Sequence, residues 1–265
     1  MTRPVRLGAV SYLNVRPLVY GLETKRDLVS LRFDVPSLCA KLLAEGEIDL
    51  GMVPSAAHLE RPGDRVVPGV CIGSEGPVAS VAIFTRRPIR DVRTLALDTS
   101  SRTSAVLTRV LCARRFEVTP TFITHAPDLP AMLAAADAAL MIGDPALFAD
   151  AQALGVEKID LGAAWTEMTR LPFVWAFWAG RPGAASTEVV ALLRQAAVDG
   201  MRHSDQLADE YCAGEPARQV IARRYLRDNL RFELDARALD GLRTFYREAA
   251  AVGAVPAPGA IEFFV

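Results

Sequence analysis

The feature that most constrains this chain is a regular alternation of short apolar runs with helical segments, carried through two series with no linker between them. Val5 to Val10 reads as a buried strand that runs into Ser11-Tyr12-Leu13-Asn14-Val15-Arg16-Pro17-Leu18, a turn opening a helix toward Leu22. Val29 to Val35 alternates polar and apolar, as a half-buried strand does. Pro36 to Glu45 follows as a helix stopped by Gly46, then a strand from Ile48 to Val53 and a helix opened by Pro54-Ser55. A βαβα series of this kind needs a largely parallel sheet, because each helix must cross back over the sheet before the next strand begins.

Strands are next expected at Val66 to Ile72 and Val78 to Thr85, around the turn Gly73 to Pro77. A second series then starts: strand Thr94 to Leu97, helix Ser101 to Arg114, strand Pro120 to Thr124, helix Asp128 to Ala135, strand Ala138 to Ile142 and helix Ala146 to Ala151. The continuous apolar run Phe173 to Ala179 reads as a strand buried on both faces, which places Trp175 and Trp178 in a core rather than on a ligand platform. Helices are expected at Thr187 to Met201, Ser204 to Tyr211, Glu215 to Tyr225 and Ala236 to Ala251. The pattern predicts an α/β protein of two lobes, mixed sheets with helices on both faces, and two crossover strands. Lobe I would hold residues 1–84 and 180–265, and lobe II residues 85–179. A ligand would lie in the cleft, where strand C-termini and helix N-termini of both lobes converge.

Four turns share that position: Ser11 to Asn14, Gly76 to Ser80, Ser100 to Ser104, and Gly143-Asp144. The richest is Asp98-Thr99-Ser100-Ser101-Arg102-Thr103-Ser104. A helix N-terminus carries unpaired N–H groups and partial positive charge, and hydroxyls with a guanidinium add further donors, so a small carboxylate is the natural ligand. Capping alone needs only one such residue, and here Thr99, Ser100, Ser101, Thr103 and Ser104 all qualify. Arg102 can offer a two-pronged hydrogen bond to a carboxylate. Ser80 brings a hydroxyl beside the crossing. Asn14 and Asp144 each have two readings, as a helix cap or as a ligand-facing group.

Composition narrows the partners. The chain has 265 residues, 51% of them hydrophobic, and 30 basic against 31 acidic residues for a net charge of -1, which gives no footprint for nucleic acid or an anionic membrane. No apolar run approaches the ~20 residues of a membrane span. The N-terminus runs straight into a strand with no signal-peptide pattern, and Cys39, Cys71, Cys112 and Cys212 form no CxxC pair. Buried free thiols in a cytoplasmic protein are therefore expected. His58, His125 and His203 share no metal-ligand spacing, and no dinucleotide, Walker or hydrolase motif is present, so neither metal nor cofactor is expected.

Several of these segments together resemble the chorismate dehydratase family, which opens the futalosine route to menaquinone. They are Ser11 to Leu18 after the first strand, Asp49 to Ser55, Gly76 to Ser80, Thr99 to Ser104, Ile142 to Leu147, Leu161 to Trp165 and Leu171 to Val174, in order over about two thirds of the chain. The resemblance implies a fold of the type 2 periplasmic-binding-protein kind. It also implies that chorismate loses water to give 3-[(1-carboxyvinyl)oxy]benzoate. A sister enzyme, 1,4-dihydroxy-6-naphthoate synthase, shares the fold, but its opening turn resembles Ser-Pro-Cys-Pro-Asn-Asp where this chain has Ser11-Tyr12-Leu13-Asn14. On this reading Ser100, Ser101, Arg102, Thr103, Ser104, Ser80 and Asp144 bind substrate. Asn14 is the catalytic residue, orienting a substrate whose own enolpyruvyl carboxylate takes the ring proton. Glu75 is the one other carboxylate near the cleft turns. A plain small-carboxylate binding or sensor protein is the alternative, since the same architecture binds without reacting.

Overall fold

The computed structural model describes residues 3–34 and 36–265, and Val35, the expected end of the second strand, lies outside the described residues. In the first lobe the chain forms β1 (Val5–Val10), β2 (Val29–Asp34), β3 (Leu50–Pro54), β4 (Arg65–Val66) and β5 (Ile72–Ser74). It then builds the second lobe from β6 (Val81–Thr85), β7 (Thr94–Asp98), β8 (Thr121–His125), β9 (Ala138–Ile142) and β10 (Glu157–Asp160). It returns with β11 (Phe173–Gly180) and ends on β12 (Glu262–Phe263). The helices are α1 (Pro36–Glu45), α2 (Ser55–His58), α3 (Thr103–Leu111), α4 (Leu129–Ala135), α5 (Gly143–Leu147), α6 (Leu161–Thr169), α7 (Thr187–Arg202), α8 (Ser204–Tyr211), α9 (Pro216–Arg224) and α10 (Ala236–Ala251).

The two sheets repeat one topology. The first runs β2-β1-β3-β11-β4-β12 with β5 also on β11, and the second runs β8-β7-β9-β6-β10. In each, one strand contributed by the chain arriving from the other lobe lies antiparallel to its neighbours: β11 against β3 and β4, β6 against β9 and β10. That antiparallel insertion is the geometric consequence of two crossings. Residues 81–85 pair within the second sheet and 173–180 within the first, so both crossings occur just before those strands. Leu13–Val19 forms a 3₁₀ segment rather than the expected α-helix, since Pro17 inside it supplies no N–H. β10 and α6 lie outside the elements that the sequence pattern predicts. The first is four residues long at a sheet edge, and its residues Glu157 and Lys158 hide its strand character.

One apolar core runs from the first sheet into the second lobe, joining Leu7, Leu50, Phe177 and Trp178 to Leu95, Leu107 and Trp165. A smaller core of Ala82, Phe84, Met132 and Met141 lies against the second sheet. The lobes meet through an aromatic group in which Trp165 of α6 packs on Phe173 at 5.2 Å and on Phe245 of α10 at 6.1 Å between ring centroids. Such edge-on pairs add about 0.5–1.5 kcal/mol each beyond the area they bury. The four cysteines are free and buried.

Candidate active site

A cavity of about 620 Å³, counted out to its mouth, opens between the lobes. Asn14, Ser80, Ser101, Arg102, Thr103 and Ser104 line it, together with Tyr12, Trp175, Gly143 and an apolar set including Met52 and Val78. The cleft turns of the sequence therefore converge on one space. Arg102 is the one charged residue in that lining among the described residues.

On the second-lobe wall, β7 ends at Asp98 and α3 begins at Thr103. The first helical bond runs from Val106 N–H to Arg102 C=O, and no side chain caps the end. The N–H groups of Thr103, Ser104 and Ala105 thus precede the helical ladder, and Thr103 and Ser104 line the cavity. The turn is shaped by Asp98. Its Oδ1 accepts from Ser100 N–H at 2.7 Å and from Ser100 Oγ at 2.6 Å. Burial pushes the Asp98 carboxyl above its usual range, against the opposing hydrogen bonds from Ser100.

This arrangement redistributes the roles expected of the serines and threonines. Ser101 and Ser104 keep hydroxyls for the cavity. Ser100 does not line it, because its hydroxyl is committed to Asp98. The Thr103 hydroxyl is also committed: it accepts from Ala56 N–H at 3.1 Å and donates to Trp175 C=O at 3.2 Å, stitching α3 to the first lobe. Arg102 lines the mouth and pairs with Glu60 of the first lobe, both side chains well exposed.

Asp144 lies off the cavity and does not cap a helix, since α5 already begins at Gly143. Instead its Oδ1 accepts from Leu13 N–H at 3.2 Å and its Oδ2 from the Tyr211 hydroxyl, which ties α5 to the first lobe. Burial pushes the Asp144 carboxyl up, only partly countered by these donors. Its neighbour Gly143 is a glycine for two reasons. Its φ is +65°, and a Cβ there would stand 2.6 Å from the ring of Tyr12. Glu75 is ion-paired with Arg231 and Arg237, away from the cavity. Trp178 is fully buried in the core, whereas Trp175 both packs and lines the cavity, its Nε1 donating to Ser74 Oγ at 3.0 Å.

The opposite side of the cavity is made of side chains from distant segments. Ser80 Oγ stands 2.7 Å from the hydroxyl of Tyr225, a residue that is 1% exposed. Asn14 lines the same corner, and its Oδ1 is buried without a partner among the described residues. Nothing in the local sequence around Tyr225, a run of basic and apolar helix residues, marks it as a site residue. The loop bearing Ser80 is tightly held: Asp160 accepts from Val78 N–H at 3.0 Å and Ala79 N–H at 2.6 Å, and Ala79 sits at φ +63°. A non-glycine residue in that region costs about 1–3 kcal/mol, so the position of Ser80 is enforced by its surroundings.

A family model described as menaquinone biosynthesis matches residues 5–251. The chain belongs to this family. Within it, the chain is 30% identical over 260 residues to the chorismate dehydratase of Thermus thermophilus, covering 92% of this chain and 94% of that protein. Among solved structures, a protein of Archaeoglobus fulgidus superposes with a TM-score of 0.76 at 16% identity, over 95% of this chain and 98% of that one. The periplasmic aliphatic sulphonate binding protein SsuA of Escherichia coli superposes with a TM-score of 0.66 at 18% identity, over 97% and 94%. The menaquinone-biosynthesis chain thus has a periplasmic-binding-protein-like fold. Among its described residues no helix is long and apolar enough to cross a membrane, and no group of three or more His, Cys, Asp or Glu is placed to hold a metal ion.

Proposed function

We propose that this protein is a chorismate dehydratase, a cytoplasmic hydro-lyase that converts chorismate to 3-[(1-carboxyvinyl)oxy]benzoate and water. The observation that carries the reading is the asymmetry of the cavity: one wall ends in a helix N-terminus beside Arg102, and the other offers neutral hydrogen-bonding groups, Asn14 and Ser80. A substrate with a carboxylate at one end and a ring hydroxyl beside an ether at the other fits that division. The Thermus thermophilus relative bears the same activity in its name.

One carboxylate binds the N–H groups of Thr103 and Ser104, the hydroxyls of Ser101 and Ser104, and Arg102 once it releases Glu60. Ser80 contacts the substrate from the crossing side. Among the described residues, no histidine or carboxylate lines the cavity to act as base. The enolpyruvyl carboxylate of the substrate takes the proton from the ether-bearing ring carbon. The electron pair left behind forms the new ring double bond, the neighbouring C–O bond breaks, and the departing hydroxide takes the proton to leave as water. Aromatisation drives this step, so the protein contributes mainly by holding the reacting groups in place. Asn14 orients the ring for it.

Purified protein incubated with chorismate should produce the aromatic product, followed by its ultraviolet absorbance. Binding of chorismate with no product over hours overturns the enzyme reading in favour of a binding protein.

A further inference from the structure

The corner of the cavity that holds Asn14 and Ser80 depends on a residue outside the cleft turns. Tyr225 opens a π-helical turn, Tyr225–Asn229, that follows α9 directly. A π turn accommodates one residue more than an α turn and so re-aims the side chains that follow it. Here both ends of the turn grip the loop that carries Ser80. The Tyr225 hydroxyl reaches Ser80 Oγ at 2.7 Å, and Asn229 Nδ2 donates to Pro77 C=O at 2.8 Å. Tyr225 is fully buried, and burial holds its phenol well above the usual range, so it keeps its proton at any working pH.

The polarity of the group follows from counting hydrogens. The phenol has one to donate. Ser80 Oγ is its hydrogen-bond partner among the described residues, and a buried phenol proton left without an acceptor is costly. The phenol proton is then left for Ser80 Oγ, and the Ser80 proton is free to turn toward the cavity.

We propose that Tyr225 is a positioning residue: its buried hydroxyl, 2.7 Å from Ser80 Oγ, holds Ser80 so that it presents its O–H to the substrate. The cavity corner then offers one donor in a fixed place, which suits an ether or carboxylate oxygen. A serine free to rotate would offer either polarity, and a substrate bound equally well would react more slowly. This rests on the dehydratase reading above.

The test is steady-state kinetics with chorismate on the wild type, Tyr225→Phe, Ser80→Ala and the double variant. Tyr225→Phe deletes only the hydroxyl. Its kcat should fall roughly 10–100-fold while KM stays within about threefold, a split that a purely structural role would not produce. The double variant should lose little more than Ser80→Ala alone, because both changes break the same hydrogen bond. Asn229→Ala loosens the far end of the turn without touching the buried hydroxyl. Its kcat should fall roughly threefold to tenfold at unchanged KM, which keeps the inference testable if Tyr225→Phe does not fold. Wild-type kcat in Tyr225→Phe or in Asn229→Ala, or losses that multiply in the double variant, overturn the role of Tyr225. Wild-type protein that binds chorismate without turnover overturns the dehydratase reading itself.

Discussion

The two sides of the cavity are built on different principles. The second-lobe wall is made by contiguous chain: a strand ends, a turn rich in hydroxyls follows, and a helix begins with free N–H groups at Thr103, Ser104 and Ala105. Its chemistry belongs to the backbone and would survive many side-chain changes. The corner opposite is assembled from Asn14, Ser80 and Tyr225, with Ser80 and Tyr225 145 residues apart. It has little backbone to offer, and each of its functions rests on one atom. On the proposed reaction the contrast separates binding, assigned to the redundant wall, from chemistry, assigned to the corner where single atoms matter.

Mutation can break or sharpen this division. The largest effect is expected from Asn14→Ala, which should lower kcat roughly 10²–10³-fold, the scale of losing one well-placed polar group in a reaction site. Chorismate should still bind to that variant by calorimetry. A raised KM with unchanged kcat would move Asn14 from chemistry to binding and erase the contrast.

Thr103→Val comes next. It leaves the buried Ala56 N–H and Trp175 C=O without their partner. Orphaned buried groups cost about 1–3 kcal/mol each, so thermal unfolding should shift down by several degrees. KM should hardly move, because the Thr103 N–H that faces the ligand is retained. A tenfold rise in KM with unaltered melting would return the Thr103 hydroxyl to the ligand set.

Arg102→Ala should raise KM by roughly tenfold, about 1.4 kcal/mol, and leave kcat within a factor of two. Stability should be unaffected, since the exposed pair with Glu60 contributes little. An unchanged KM would leave the helix N-terminus alone as the anion site.

The smallest effect on activity, none at neutral pH, is expected at Asp49, at the end of the first sheet away from the cleft. Burial alone would push its carboxyl up, but hydrogen bonds and charge from Arg6 and Arg3 outweigh this and hold it well below the usual range. A lowered carboxyl stabilises the fold above its unfolded pKa near 3.9, and that contribution is lost as pH falls below it. Unfolding followed from pH 6 to pH 3 should show a drop that Asp49→Asn flattens. An equally steep drop in that variant would assign the acid sensitivity elsewhere.

Where a segment's structure follows from its own periodicity and flanking residues, the chain was legible. α1, β9, α8 and α10 fall at the residues their patterns indicate, and the aromatic run became β11 with one more residue, Gly180. The hydroxyl-rich turn before α3 is also local, so its place at the cavity could be read from strand, turn and helix in succession. Asp144 shows the limit of that approach. Gly143-Asp144-Pro145 has the composition of a helix start, yet the carboxylate is drawn instead to Leu13 N–H and Tyr211 from the other lobe. Ser100 and Thr103 likewise have the right chemistry for a ligand and spend it on neighbours.

By itself the sequence determined the two α/β series, the pair of crossings between them and the hydroxyl-rich turn at a helix N-terminus, because hydrophobic periodicity and helix termini are properties of adjacent residues. Only the tertiary structure decided which hydroxyls remain free, that Asp144 joins the lobes, and that Tyr225 meets Ser80. Those outcomes depend on which donors and acceptors are brought together when both lobes bury their surfaces. A buried polar group takes whatever partner the packing supplies, and that choice is made in space rather than along the chain.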